Sequence, residues 1–165
     1  MQHSLSFVPL QHADRAELCA VLTSDAMLAY MDLPNWKSQA EVAELVHAST
    51  VGHASLHLIQ RNGFVVGIAG LSHICVKHRF ACITCGILPH FLRSGFASQA
   101  LSRVESMAFG GLGLHRIEAQ VHEDDQASIA FFRKAGYTEE GRMRGRFLFG
   151  GIFSDSILFG KVSHD

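Results

Sequence analysis

Leu88-Pro89-His90-Phe91-Leu92-Arg93-Ser94-Gly95-Phe96-Ala97 runs straight into an amphipathic segment, and how this stretch is read decides the fold. It reads as the end of a strand, a tight basic-then-glycine loop, and a helix start. Apolar residues recur at Phe96, Ala97, Ala100, Leu101, Val104, Met107 and Ala108, leaving Ser98, Gln99, Ser102, Arg103 and Glu105 for the other face. A glycine lets the backbone approach a ligand closely. A helix start offers N–H groups without intrahelical partners at the positive end of the dipole. Together they suit a diphosphate. An ordinary strand-to-helix turn capped by Ser94 shares this local pattern, so the flanking sequence must decide.

Upstream, Leu5–Leu10 reads as a short strand closed around Pro9. Residues 13–22 place Leu18, Val21 and Leu22 on one helix face, and Ser24–Met31 reads as a second short helix ending before Pro34. Ser38 with Glu41 forms a capping box for a helix carrying Val42, Leu45 and Val46. The period then turns extended. Ala54–Gln60, Phe64–Ile74 and Phe80–Leu88 read as three strands, the first two joined by Arg61-Asn62-Gly63. Downstream, the glycine-loop helix runs to Gly110-Gly111. Leu114–Val121 is a strand with Ile117, Ala119 and Val121 on one side. Asp125–Ala135 is a helix with Asp124 or Asp125 as N-cap and Gly136 as its stop. Tyr137–Arg146 and Ile152–Lys161 read as a closing strand pair around Gly150-Gly151. This order predicts a mixed sheet with helices on both faces.

Composition narrows the function classes. At 165 residues the chain is expected to form one domain, 1–165, burying roughly 70% of its unfolded surface. Apolar residues make up 48% and charged residues 18%, yet no apolar run reaches the ~18–20 residues of a membrane helix, and no signal peptide is evident at the N-terminus. A net charge of −1 gives no electrostatic case for nucleic acid. Cys19, Cys75, Cys82 and Cys85 do not make a disulfide framework, so a cytoplasmic setting is expected. Eleven scattered histidines show no metal-binding helical spacing. Cys82-x-x-Cys85 lies in a strand pattern that sends its side chains to opposite faces. No metal is expected.

Leu112-Gly113-Leu114-His115-Arg116-Ile117-Glu118-Ala119, followed by Asp125-Gln126-Ala127-Ser128-Ile129-Ala130-Phe131-Phe132-Arg133-Lys134-Ala135-Gly136-Tyr137, completes a pattern with the glycine loop. In this order and spacing the chain resembles the GNAT superfamily of acetyl-CoA-dependent N-acetyltransferases, and more narrowly its RimJ/RimL-type branch. The resemblance spans Leu5 to about Val162 and is strongest between Gly63 and Tyr137. It implies an α/β fold with a mixed, mostly antiparallel sheet. The strand ending near Leu88 and the strand starting near Leu114 splay at its centre, and the pantetheine arm of acetyl-CoA lies in the gap.

The resemblance also implies site residues. Arg93, Ser94, Gly95, Phe96, Ala97 and Ser98 hold the diphosphate through backbone N–H groups, with Arg93 adding a charge-assisted contact. Leu92 departs from the family's usual first loop position. Strand N–H groups near Ile87 or Leu88 meet the developing oxyanion. Asp125 stands where the family usually has Asn, as a cofactor contact or simply a helix cap. Phe132 occupies the place of a common tyrosine acid, and Ser128, one turn earlier, matches a serine the branch can use instead, against the plain reading of a solvated helical serine. Cys82 stands where the common glutamate base would be. The remaining base candidates are Glu118, His73, His122 and Asp155, with Glu118 equally suited to pairing with Arg116 or Arg142.

The expected reaction is therefore direct attack of a primary amine on acetyl-CoA. The acceptor is a protein N-terminus or a small amine, met by the segment between about Ala26 and Trp36, where Met27, Tyr30, Met31 and Trp36 form either an apolar wall or part of the core, and by the last strand pair. A lysine-like amine is only about 0.1% neutral at physiological pH, a cost of about 4 kcal/mol, whereas an α-amine is roughly a quarter neutral. A site lacking the usual base thus favours an α-amine. The competing class is a CoA-binding regulatory module without catalysis, kept open by Cys82, Asp125 and Phe132. A homodimer is the default oligomer.

Overall fold

The computed structural model describes residues 5–10, 16, 19, 21, 39–149 and 151–163. A seven-stranded sheet organises them, in the order β1-β2-β3-β4-β5-β7-β6. Its strands are β1 (Ser6–Pro9), β2 (Ser55–Arg61), β3 (Phe64–Cys75), β4 (Phe80–Ile87), β5 (Arg116–His122), β6 (Thr138–Phe149) and β7 (Ile152–Val162). Every neighbouring pair is antiparallel except β4 with β5, which is parallel. The helices are α1 (Gln39–Thr50), α2 (Phe96–Glu105) and α3 (Gln126–Lys134). Of the helix expected at 13–22, only Ala16, Cys19 and Val21 are described, all helical. The segment 24–31, Ser38 of the capping box, and Met27, Tyr30, Met31 and Trp36 lie outside the described residues.

Each local signal has a physical counterpart. The β2–β3 turn puts Asn62 at φ 52° and Gly63 at φ 81°, the two positive values a tight hairpin turn requires. β5 alternates strictly, with Ile117, Ala119 and Val121 buried. The helix after the glycine loop does not end cleanly. From Ser106 to Gly111 it widens into a π-turn, with the Leu112 N–H reaching Met107 O at 2.8 Å. Gly110 and Gly111 follow no regular helical demand, so the expected stop arrives as a loosened turn.

Two cores cover the two faces. Leu101 and Val104 of α2 and Ile129 and Phe132 of α3 pack with Leu71, Ala81, Ile117, Ala119 and Phe159 on one side. Val42 of α1 packs with Leu10, Val21, Leu56, Leu58 and Ile68 on the other. Pairing runs on through β2, β3 and β4, whereas β4 meets β5 at only three bridged positions.

Candidate functional site

β4 and β5 pair over only three residues, Phe80↔Arg116, Ala81↔Ile117 and Cys82↔Glu118. Beyond Cys82, β4 stays with β3 and β5 stays with β7, so the two diverge. Arg79 fastens the apex. Its carbonyl accepts from the N–H groups of His115 (2.7 Å) and Arg116 (3.1 Å), and its Nε donates to Gly113 O at 2.8 Å. The opening holds a cavity of about 330 Å³. Strand alternation divides its lining. Ile83, Cys85, Ala119 and Val121 belong to the α2/α3 face with Ser128 and Phe132, whereas Ser72, Cys82, Thr84, Gln120 and His122 belong to the other face, with Arg146.

At the α2 end the glycine loop forms as the sequence predicts, but Ser94 is not the cap. Gly95 is the N-cap residue at φ 77°, and no side chain caps the helix. The N–H groups of Phe96, Ala97 and Ser98 therefore lack both intrahelical and side-chain acceptors. Arg93, also left-handed at φ 60°, curls the loop on the other side of Ser94, as in backbone concavities that hold anions. A Cβ built on Gly95 would meet nothing within 4 Å, so the cradle is open. Phe96 anchors the loop from below, buried beside Phe91 and under the Arg61 guanidinium, 5.1 Å from its ring centre.

The expectation for Leu88 is corrected. Its N–H donates to Val66 O at 2.9 Å and is spent on the β3 ladder. Antiparallel ladders alternate, so Ile87, opposite Gly67, turns its N–H and C=O to the other edge, the side facing the gap. Ile83 and Cys85 share that phase. Ile87 keeps the geometry for a backbone contact that Leu88 has lost.

α3 delivers three residues to the cavity. Asp125, rather than Asp124, is the N-cap, its Oδ1 accepting from Ser128 N at 3.0 Å. Ser128 is half-buried on the cavity wall. Phe132 is buried edge-to-face with Tyr137 at 5.1 Å and stacked with Phe159 at 5.9 Å, which explains an aromatic without a hydroxyl there. Burial raises the Tyr137 phenol well above its usual range, with the nearby Glu105 charge adding to it. Burial also pushes the Cys85 thiol up to about 12, so Cys85 stays neutral and is no nucleophile.

The four base candidates separate. Glu118 does not line the cavity. Its carboxylate accepts from Arg116 Nε at 2.8 Å, and Arg116 also grips Glu140. Hydrogen bonding to Arg116 holds the Glu140 carboxyl below its usual value and raises Arg116 further. Asp155 is likewise committed, to Arg142 Nε (3.0 Å) and to the Gly145 N–H (2.8 Å). His73 and His122 do line the cavity. His73 Nδ1 lies 3.3 Å from Ser72 Oγ. His122 is stacked on Phe147 and lies 2.6 Å from Ser154 Oγ.

Arg146 and Gln120 were missed. Arg146 Nε donates to Gln120 Oε1 at 3.1 Å, and both line the cavity. Counting alternate residues along β6 could not find Arg146. The register of β6 against β7 slips between Glu139 and Gly141 and again between Met143 and Phe147.

Comparison with known proteins is consistent with this geometry. A family model described as Acetyltransferase (GNAT) domain matches residues 4–138. The uncharacterized N-acetyltransferase YoaA of Bacillus subtilis (strain 168) is 31% identical over 141 residues, covering 79% of this chain and 77% of that protein. The spermidine N(1)-acetyltransferase of Escherichia coli (strain K12) is 21% identical over 163 residues, covering 98% and 88%. Among solved structures, a spermidine N-acetyltransferase from Vibrio cholerae in complex with CoA and spermine superimposes with a TM-score of 0.84 at 20% identity, over 96% of this chain and 95% of that one.

Proposed function

This chain belongs to the GNAT acetyltransferase family, and on that premise we propose that it moves the acetyl group of acetyl-CoA to a primary amine by direct attack within the β4–β5 gap. The observation that carries the reading is the alignment of two features. The uncapped α2 N-terminus suits a diphosphate, and it stands beside a gap into which Ile87 turns free backbone groups. The open space at Gly95 fits the close approach of that diphosphate.

Arg93 to Ser98 would hold the diphosphate, and Ile83, Cys85 and Ile87 would pair with the pantetheine arm. Bound there, acetyl-CoA supplies a thioester as acetyl donor. The N–C bond forms as the C–S bond breaks; the amine loses one proton and the departing sulfur gains one. The Ile87 N–H meets charge developing on the carbonyl oxygen. The Ser128 hydroxyl donates to the departing sulfur. Asp125 holds the turn that aims Ser128. The neutral Cys85 thiol is no acyl acceptor, which fits direct attack.

The narrower RimJ/RimL-type placement rests on Leu114 to Glu118 and on Ser128. The spermidine acetyltransferases among the relatives put polyamines beside peptide N-termini as acceptors to be compared. Dependence on acetyl-CoA fits a cytoplasmic, single-domain enzyme. Self-assembly beyond a monomer fits a relative described as dodecameric.

The test is thiol release from acetyl-CoA across a panel of primary amines, run beside calorimetric CoA binding. Amine-dependent release is the expected result. Binding without release above background would instead establish the non-catalytic CoA-binding reading.

A further inference from the structure

We propose that His73 is the general base that takes the amine proton, with Ser72 as the residue that positions its ring. This rests on the acetyl-transfer reading above. A regular strand sends neighbouring side chains to opposite faces, so Ser72 and His73 should part. Instead both line the cavity, and His73 Nδ1 lies 3.3 Å from Ser72 Oγ. The cause is a bulge. β3 and β4 pair in step from Gly67↔Ile87 to Ser72↔Cys82, then slip before Cys75↔Phe80, and His73 sits inside the slip at φ 50°. A bulge re-aims a side chain, and a left-handed residue other than glycine is uncommon. Here the result is an imidazole on the wall of the gap.

Hydrogen-bond polarity gives the ring its tautomer. The Ser72 hydroxyl has one proton and two lone pairs to place. The Cys82 carbonyl, 3.5 Å away, can only accept, and takes the proton. His73 Nδ1 and, at 3.4 Å, Thr84 Oγ1 then meet the lone pairs. Nδ1 therefore carries the proton of the neutral ring, and Nε2 keeps its lone pair. Among the described residues Nε2 has no hydrogen-bond partner, and His73 is exposed, so a proton taken there can pass to water. The other titratable or charged side chains among the described lining residues are Cys82, Cys85, His122, Asp125 and Arg146. His122 is engaged at both ring nitrogens, Nδ1 by the Asp124 N–H at 3.2 Å, with Asp124 Oδ2 3.9 Å away, and Nε2 by Ser154 Oγ at 2.6 Å. Asp125 caps α3, Cys85 stays neutral, and a guanidinium accepts no proton. Cys82 gives Ser72 its carbonyl. On the β2 side, His53 meets this stretch through its carbonyl, which accepts from the Ile74 N–H at 3.1 Å. His73 Nε2 thus takes the amine proton as the N–C bond forms and the C–S bond breaks, while Ser128 gives a proton to the sulfur. Water then removes the proton from the imidazolium and restores the one on Ser128.

The experiment measures the single-turnover rate of thiol release against pH, extrapolated to saturating amine at each pH, with the full chain and acetyl-CoA. The acceptor is the fastest of a short peptide with a free N-terminus, a free amino acid, spermidine and propylamine. A rate at saturation reports the groups of the bound complex, so the wild type should show an acid limb, falling as the imidazole protonates. Asparagine tolerates left-handed φ and keeps an NH₂ for Ser72, but it is no base. His73→Asn should lose the limb and lower the rate about 10²-fold or more, with acetyl-CoA affinity in calorimetry unchanged. Ser72→Ala should keep the limb, at a rate between the wild type and His73→Asn and with KM for the amine unchanged. His73→Gly accepts the same φ, and imidazole added to the buffer should raise its rate in proportion to concentration. Thermal melting shows which variants fold, and His73→Gly is read in place of a His73→Asn that melts early. No limb in the wild type, or a limb that persists in His73→Asn, would overturn the inference while leaving acetyl transfer intact. No thiol release with any amine would overturn the acetyl-transfer reading itself, and this inference with it.

Discussion

Ser128 and Glu118 both carry polar side chains near the gap, yet only Ser128 lines it. A thiol is already a fair leaving group at neutral pH, so a donor to the departing sulfur is worth the low end of general-acid effects. Ser128→Ala should lower kcat by about 10-fold to 100-fold under single-turnover conditions. Full wild-type kcat in that variant would remove Ser128 from the chemistry. Glu118 is held by Arg116 in a pair that Arg116 shares with Glu140. Glu118→Gln should therefore leave the pH–rate profile in place, with kcat/KM rising to a midpoint near about 8 for an α-amine. A fall of about 10²-fold would instead make Glu118 the base.

Two helix starts meet the gap, and they are built differently. α2 begins at Gly95 with no side-chain cap, leaving its first N–H groups to a ligand, whereas α3 begins at Asp125, which satisfies Ser128 N itself. Each start predicts a different failure. Gly95→Glu should abolish acetyl-CoA binding in calorimetry, because its charge would face the diphosphate and φ 77° is strained for any side chain. Space is not the reason, since nothing lies within 4 Å of that Cβ. Arg93→Ala should only weaken binding. Asp125→Ala should cost about 1 kcal/mol of stability in denaturant unfolding, and Asp125→Asn should recover most of it.

At the scale of the molecule, the two cores make stability depend on groups far from the gap. His57 on β2 lies edge-on to Phe7, with ring centres 6.3 Å apart. Burial, and then the Arg103 charge, lower its pKa below 6.5 despite an opposing hydrogen bond at Ser55. The unfolded chain thus binds this proton more readily than the folded one. His57 contributes its full stability above the unfolded pKa of about 6.5, and that contribution is lost as pH falls toward the lowered folded value. Thermal melting between about pH 7.5 and 5 should show a steeper decline for the wild type than for His57→Gln. Equal slopes would mean His57 titrates alike in both states.

Sequence alone determined what depends on neighbours along the chain. The three central strands, the Asn62-Gly63 turn, the helix after Gly95 and an aspartate cap at 124 or 125 all follow from local periodicity, φ preference and capping, while the structure chose Asp125. The splay itself rested on family resemblance, and tertiary pairing gave it bounds, because three bridges from Phe80 to Cys82 end where β4 and β5 keep other partners. Which backbone groups face the gap was also a tertiary matter. Ladder phase is set by the partner strand, so Leu88 is spent on Val66 while Ile87 is not. The same cause hid Arg146, since two register slips against β7 decide its face. Residue type supplies a donor or an acceptor, but its direction comes from the strand it pairs with.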